Sequence, residues 1–428
     1  MNSIASPAIC WATSRSANLL MSRHITLFAL WLLPLWACAG NDANGPRYLI
    51  EQGASANVLQ VLLTMQGKPP FTLLPARQLP GSATPVSPAL VCLADNQPVA
   101  LNQPFSCKEV GWQITLTPAP ALGADASAQQ SLLFAPNQWL LTEWGNFVRQ
   151  MGSRQGRVCL PDGSCQPLPD VNQPPLILPF GLQTVPVTKP DPRLVLSHDE
   201  TANQLDLPAL QQQLNEIIDY LAFQLDVAPP THPWQLVWLG RDVATRSLGG
   251  AAGDPVFVAN YPTEAGKPTP QAPLRLLRTS AHEAVHILSA RRATPQPTWI
   301  NESLAEYLAI KALRRFRLHQ VTAVNELAER GKQLPHSESG LYRAAREVLA
   351  GDRSYYPLFY VKGSAFWEAL ERELQHNDVT LAQLLPQLGW LPDGRFDAAS
   401  NELLAGTIGS DTWRRLSRLS RLYLGEQQ

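Results

Sequence analysis

The sequence predicts an α+β protein: a β-rich accessory domain first, then a strand-rich lobe, a long central helix and a helical C-terminal lobe. Three observations carry this. Most of the 38 prolines fall before residue 275, and proline blocks helix interiors. Short apolar stretches broken by Pro, Gly and Asn fill the chain up to residue 190, which is strand-and-turn patterning. From Leu207 onward, apolar residues recur at three- and four-residue spacing, as on one face of a helix.

The bulk numbers set the frame. A chain of 428 residues is long enough for two or three domains with substantial cores. Apolar residues make up 45% and charged residues 16%, a globular balance and not a disordered one. The formal net charge is -1. Such a chain has no long-range field to attract nucleic acid, so no nucleic-acid partner is expected.

Residues 1–39 form the targeting region. "MSRHITLFALWLLPLWACAG" starts at Met21 with Arg23 and His24, runs apolar from Ile25 to Trp36, and ends in the small residues Ala37, Cys38 and Ala39. A basic start, a short apolar run and an A-x-A end describe a secretory signal. The run is shorter than the roughly 20 apolar residues of a membrane span. Residues 1–20 lack signal character, which leaves Met21 as an alternative start. "LWAC" admits a second reading, a lipoprotein site with Cys38 acylated as a lipid anchor. Either way the expected location is outside the cytoplasm, in the periplasm or at the cell envelope.

Residues 40–190 read as the all-β accessory domain, with a sandwich as the expected form. "NVLQVLLTM", "GWQITLTP" and "PLILPFGL" are its strands, and "NQWLLTEWGNFVRQM" reads as one amphipathic helix among them. Four of the six cysteines fall here as close pairs. "VCLADNQPVALNQPFSC" reads as two strands around a turn, and "VCLPDGSC" contains the turn signal Pro-Asp-Gly. Bridges Cys92–Cys107 and Cys159–Cys165 are expected in an oxidising compartment. Neither pair has the CxxC spacing of a zinc site.

Residues 191–318 hold the strand-rich lobe and the helices that carry the chemistry. From "PDPRLVLSHD" the pattern changes. Leu207, Leu210, Leu214, Ile217, Ile218 and Leu221 mark a helix. "WQLVWLG" and the stretch after "GGAAGDP" are further strands. "PLRLLRTSAHEAVHILSARR" is the central helix, with Leu274, Leu277, Ala281, Val285 and Leu288 on one side. Residues 319–428 are mostly helical, through "GLYRAAREVLAG", "GSAFWEALEREL" and the tail.

The central helix carries His282, Glu283 and His286, an HExxH motif. Residues four apart lie one turn apart on the same helix face, so both imidazoles can reach one ion. Glu283 is rotated by about 100° from His282, within reach of a metal-bound water without being a ligand. Zinc lowers the pKa of such a water towards 7, and a carboxylate can then take its proton. The five residues alone also fit an ordinary helix with two surface histidines. A catalytic zinc takes three protein ligands, and "PTWINESLAEYLAIKAL" supplies a candidate. Glu302 follows His286 after 15 intervening residues, enough for a turn and a new helix. Pro295 and Pro297 end the first helix. Glu306, one turn beyond Glu302, is spaced to accept the second nitrogen of a ligand histidine, and Asn301, directly before Glu302, is a further candidate for a supporting role.

"HEAVH" followed by "WINESLAEY" resembles the gluzincins, zinc metallopeptidases with HExxH and a downstream glutamate. The form is similar to the thermolysin-like catalytic domains of the aminopeptidase N and glycyl aminopeptidase groups. That resemblance implies one Zn2+ held by His282, His286 and Glu302, with Glu283 as general base and Glu306 supporting a ligand histidine. It implies a peptide or protein as substrate. "YYPLFYVKGSAFWEAL" resembles the Tyr-x-Lys-Gly segment of the same groups. This implies that Tyr360 stabilises the oxyanion, with Tyr355 and Tyr356 as nearby competitors. A neutral phenol suits that task, because it donates more strongly as charge develops on the carbonyl oxygen. "GGAAGDPVFVANY" is similar in position to the glycine-rich substrate strand of the aminopeptidase N group. This implies that Gly249, Gly250, Ala251 and Gly253 line the cleft and bind peptide by adding a strand. The motif here lacks the glutamate that grips a free amino terminus, and Asp254 is the one acidic residue near that place. Exo- and endo-cleavage both stay open. The resemblance spans residues 195–425 in layout.

The remaining features are bland. His198, His232, His319, His336 and His376 have no partner at ligand spacing. Nucleophile elbows, phosphate loops and CxxC pairs are absent from the sequence. The tail, with Trp413 and Leu416 opposite Arg414 and Arg415, reads as a helix docked on the helical lobe. Two functions follow: an exported zinc peptidase, or a non-catalytic protein that keeps the fold and holds a peptide or envelope partner in its groove.

Overall fold

A computed structural model describes residues 45–78, 87–119, 130–171, 173–185, 194–228, 233–245, 249–253, 256–289, 296–318 and 333–418. The segment Met21–Ala39 with Cys38, and also Asp254, His232, His319 and Pro295, lie outside these residues.

The strand-rich lobe is a mixed sheet. Leu194–His198, Trp234–Asp242 and Val256–Glu264 run parallel at its centre. Gln183–Thr184 is antiparallel on one side, and Gly250–Ala252 is antiparallel on the other. Helix α1 (Leu207–Leu225) connects the first two parallel strands. The Asp206 side chain caps it by accepting from the Ala209 N–H, and Asp226 ends it in a left-handed conformation at φ 52°. All six apolar residues expected on its inner face are buried.

The central strands read as continuous apolar runs because both their faces are covered. Leu236 and Trp238 face α1 and the helical lobe. Val237, Leu239, Val256 and Val258 face the β-rich half and pack on Leu132, Leu140 and Ile177. This shared apolar layer joins the described parts of residues 44–428 into one compact unit.

Among the described residues of the β-rich half the strands distribute over three sheets and not the two of a simple sandwich. A six-stranded sheet centres on Arg47–Gln52 and Val58–Thr64. A four-stranded sheet centres on Gln138–Thr142, and a three-stranded one on Phe71–Leu74. The two expected disulfides, Cys92–Cys107 and Cys159–Cys165, are both formed.

The helix expected in "NQWLLTEWGNFVRQM" is absent. Gln138–Thr142 is instead a strand paired with Leu132–Ala135 and Ile177–Phe180. The physical reason is double burial. Trp139 and Leu141 face one core while Leu140 faces the other, so the three central positions are all apolar and the alternation disappears. Asn137 at φ 62° and Gly145 at φ 71° turn the chain at either end.

Helix α2 (Ala272–Ser289) runs beneath the mixed sheet, and α3 (Thr298–Arg315) packs on it. The helical lobe continues through Leu341–Leu349, Ser364–Gln375 and Ala398–Ile408 to Ser410–Arg418. Trp413 and Leu416 are buried, so the last helix docks on the lobe. Among the described residues, no helix is long and apolar enough to cross a membrane.

Candidate metal centre

Helix α2 is buried almost all round, so its two histidines face protein and not solvent. The chain leaves α2, and α3 begins after Pro297, with Trp299 and Ile300 fully buried at its first turn. The Trp299 indole N–H donates to the Gly394 carbonyl at 2.8 Å, which ties this entry to the helical lobe. The next turn presents Glu302 to α2.

Three donor atoms converge there. His282 Nε2 and His286 Nε2 stand 3.0 Å apart, and Glu302 Oε2 is 3.4 Å from the first and 3.7 Å from the second. A tetrahedral zinc with ligand bonds of about 2.0–2.2 Å sets its donors roughly 3.4 Å apart. Two imidazole nitrogens and one carboxylate oxygen also match the open His₂Glu donor set of catalytic zinc. Among the described residues this trio is the one group of three His, Cys, Asp or Glu side chains arranged to hold a metal ion. The residues therefore fit zinc in both geometry and donor chemistry.

Around the trio lies a layer of carboxylates and one cation. Glu306 Oε2 accepts from His282 Nδ1–H at 3.1 Å, which turns Nε2 toward the centre. The other oxygen of Glu306 pairs with the Arg278 guanidinium. Burial would raise the Glu306 carboxyl, but the His282 hydrogen bond and the Arg278 charge hold it down to about 2. Burial would also lower His282, but the bonds to Glu302 and Glu306 push it up to about 10. Glu302 is held well below the usual carboxylate range, because the His286 charge and hydrogen bonds from both histidines overcome its burial. His286 Nδ1 is buried without a hydrogen-bond partner.

Glu283 is 6% exposed and points to the edge strand Gly250–Ala252. Burial pushes its carboxyl above the ordinary value, against the pull of the two histidines. That shift brings a carboxylate nearer the range useful to a general base. Tyr360 stands over His282 with ring centroids 5.6 Å apart. Burial, then the Glu302 and Tyr356 charges, raises its phenol, which stays a neutral donor through the physiological range. Tyr356 lies 5.9 Å from Tyr360, ring to ring, and its hydroxyl also bonds Glu302.

The other expected residues divide. Gly250 abuts Glu283, whereas the nearest atoms to Gly253 include the Pro175 carbonyl and Ile177 in the β-rich half. The Gly249 carbonyl accepts from the Asn260 N–H and so belongs to the sheet ladder. Asn301 starts no side-chain hydrogen bond to the trio among the described residues. Tyr355 faces away, stacked on His336 at 3.8 Å. Sequence reasoning missed Arg278. Its signal was there, since Arg278 lies four residues before His282 and shares its helix face.

No family model matches the chain, and no curated protein matches it. Solved structures do. An aminopeptidase N family protein from Idiomarina loihiensis superposes with a TM-score of 0.57 at 12% identity, over 85% of this chain and 71% of that one. An M1 zinc metallopeptidase from Deinococcus radiodurans, in a mutant bound to a Tyr-Ser-Ala substrate, gives 0.45 at 14% identity, over 90% and 95%. The first similarity shows the fold: the α+β architecture of this chain is that of the aminopeptidase N family protein. The α+β architecture expected from the sequence is thus shared with that solved structure.

Proposed function

We propose that this protein is an exported zinc-dependent metallopeptidase of the gluzincin type. One observation carries the reading: three donors from two helices stand at the mutual spacing of one tetrahedral ion, with a buried carboxylate and a neutral phenol at its rim. His282, His286 and Glu302 would hold one Zn2+. The ion, when bound, supplies Lewis acidity for water and for the scissile carbonyl. The chain's own groups do the rest. Glu283 takes a proton from the attacking water and passes it to the leaving amine. The Tyr360 hydroxyl donates to the carbonyl oxygen as charge develops there. Glu306, braced by Arg278, fixes the tautomer of His282.

The edge strand Gly250–Ala252 is short and made of small residues, which leaves room for a peptide laid beside it as an added strand. A peptide substrate suits this groove better than a compact small molecule. The two disulfides support export, and the signal segment in the sequence agrees.

The test is metal analysis of the purified protein with a Glu283→Gln comparison on a peptide library. About one zinc per chain and a loss of at least 10³-fold in kcat for the variant are expected. A zinc-free protein, or a variant that cleaves like its parent, would falsify the reading. Libraries with free and with acetylated amino termini read the mode of cleavage in the same assay.

A further inference from the structure

We propose that Gly363 is a positioning residue for Tyr360, acting through a close crossing with Ser303 that locks the tyrosine segment to the helix bearing Glu302. The inference rests on the peptidase reading of the site.

Gly363 lies at φ −66°, ψ −45°, a right-handed helical conformation open to any residue. Its backbone therefore gives no reason for a glycine. Space does. A β-carbon built on Gly363 would stand 2.2 Å from Ser303 Cβ, 3.1 Å from its Oγ and 3.3 Å from its Cα. Ser303 is fully buried inside α3, directly after Glu302. It cannot turn aside, because all three contacts are at or next to its backbone.

The crossing is also bonded. The Trp367 indole N–H donates to Ser303 Oγ at 2.8 Å, and Ser303 Oγ–H donates to the Ile300 carbonyl at 3.1 Å. Trp367 lies one turn beyond Gly363 and is fully buried. Between Tyr360 and this anchor the chain makes a wide π turn, Phe359–Gly363. The Ser364 hydroxyl donates to the Tyr360 carbonyl at 2.5 Å and lies 3.2 Å from the Val361 carbonyl, which satisfies groups the wide turn frees.

These pieces form a gauge. One side of the crossing fixes Glu302 through the adjacent Ser303. The other fixes Tyr360 through a single turn of chain. The gap at Gly363 sets the distance between the two segments, and it leaves no room for a β-carbon. A side chain there must move the turn outward, and the Tyr360 ring with it.

The test uses the full chain as purified, with zinc content and melting temperature recorded for each variant. Gly363→Ala is expected to keep its zinc and its KM and to lose kcat by about 10²-fold, as a misplacement near 1 Å does. Ser303→Gly removes the atom that the new methyl group strikes together with the hydroxyl that Trp367 bonds, so it has a cost of its own, and in that background Gly363→Ala should lower kcat by less than tenfold. In a Tyr360→Phe background Gly363→Ala should cost nothing more, because no hydroxyl is left to place. Should Gly363→Ala not fold, Trp367→Phe supplies the same cycle with Tyr360→Phe, since it removes the bond to Ser303 and keeps an aromatic ring. An unaltered kcat in Gly363→Ala, a loss that Ser303→Gly does not relieve, or losses that simply multiply with Tyr360→Phe would overturn the proposal. A parent without Glu283-dependent hydrolysis sinks the peptidase reading itself, which is a separate outcome.

Discussion

Gly250 and Glu283 are packed so tightly that a β-carbon on the glycine would stand 2.6 Å from the Glu283 Oε1 atom and 2.7 Å from its Cγ. The edge strand thus serves as a wall for the Glu283 carboxylate. A methyl group would push the carboxylate out of its place, and the Val258 carbonyl, also 2.6 Å away, blocks retreat of the strand. Gly250→Ala should lower kcat by about 10²-fold while zinc content stays at the parental level. Steady-state kinetics beside elemental analysis checks this, and an unchanged kcat would show that Glu283 has room to spare.

Arg278 pairs with Glu306 and, after the His282 hydrogen bond, is the group that does most to keep that carboxylate ionised. Arg278→Met keeps the bulk and removes the charge. Supporting groups of this kind are worth roughly 10–100-fold in metal affinity. The variant should lose zinc to a chelator at correspondingly lower concentration, and competition titrations read this without any substrate. Glu306→Gln should fall in the same range, and the double variant should be little worse than either single one, because both act through His282.

Metal should also stabilise the fold. The trio joins α2 to α3, and an ion that binds only the folded chain adds about 2.7 kcal/mol when its free concentration is 100 times Kd. Chelation should lower the melting temperature, and added zinc should restore it. Glu283→Gln should keep that shift, since Glu283 is not one of the three donors, whereas His286→Ala should lose it. A melting temperature indifferent to chelator in the parent would mean that the trio does not hold zinc.

Much of this was legible in the sequence, for identifiable reasons. His282, Glu283, His286 and Glu302 could be read because helical periodicity turns spacing into direction, and helix boundaries are marked by proline. Helix α1 was legible to the individual residue for the same reason. The strand Gln138–Thr142 was not, because a strand buried on both faces loses the period of two that distinguishes it from a helix. Gly363 could not be understood from sequence either. Its meaning is a distance to Ser303, which lies 60 residues earlier on another helix. The split among the four glycine-strand residues was equally hidden, since Gly253 meets Pro175 only after the β-rich half has packed on the sheet.

Alkaline pH should expose how the core is built. Tyr48, Tyr261 and Tyr307 are 1%, 0% and 5% exposed. Burial raises each phenol above its ordinary value, aided by Asp199 at Tyr261 and by Glu371 at Tyr307. The Tyr48 hydroxyl donates to the Val148 carbonyl at 2.8 Å, and that of Tyr307 donates to Glu371, so each bond needs the proton. A raised folded-state value means that the unfolded chain releases the proton first. The stabilisation is therefore complete below about pH 10, the unfolded value, and declines as pH rises above it. Each such tyrosine contributes a slope of about 1.4 kcal/mol per pH unit above that point, and the raised phenols of Tyr220, Tyr342, Tyr356 and Tyr360 add to it in the same way. Denaturant midpoints measured from pH 9 to 11 should be level at first and then fall steeply. The share of tyrosinate absorbance that belongs to these three should appear in step with unfolding and not before it. Early, fully reversible titration of all nine tyrosines in the folded protein would contradict the burial of these three. Tyr307→Phe should reduce the slope by about 1.4 kcal/mol per pH unit and, by removing the donor to Glu371, lower stability at neutral pH by about 1 kcal/mol or more.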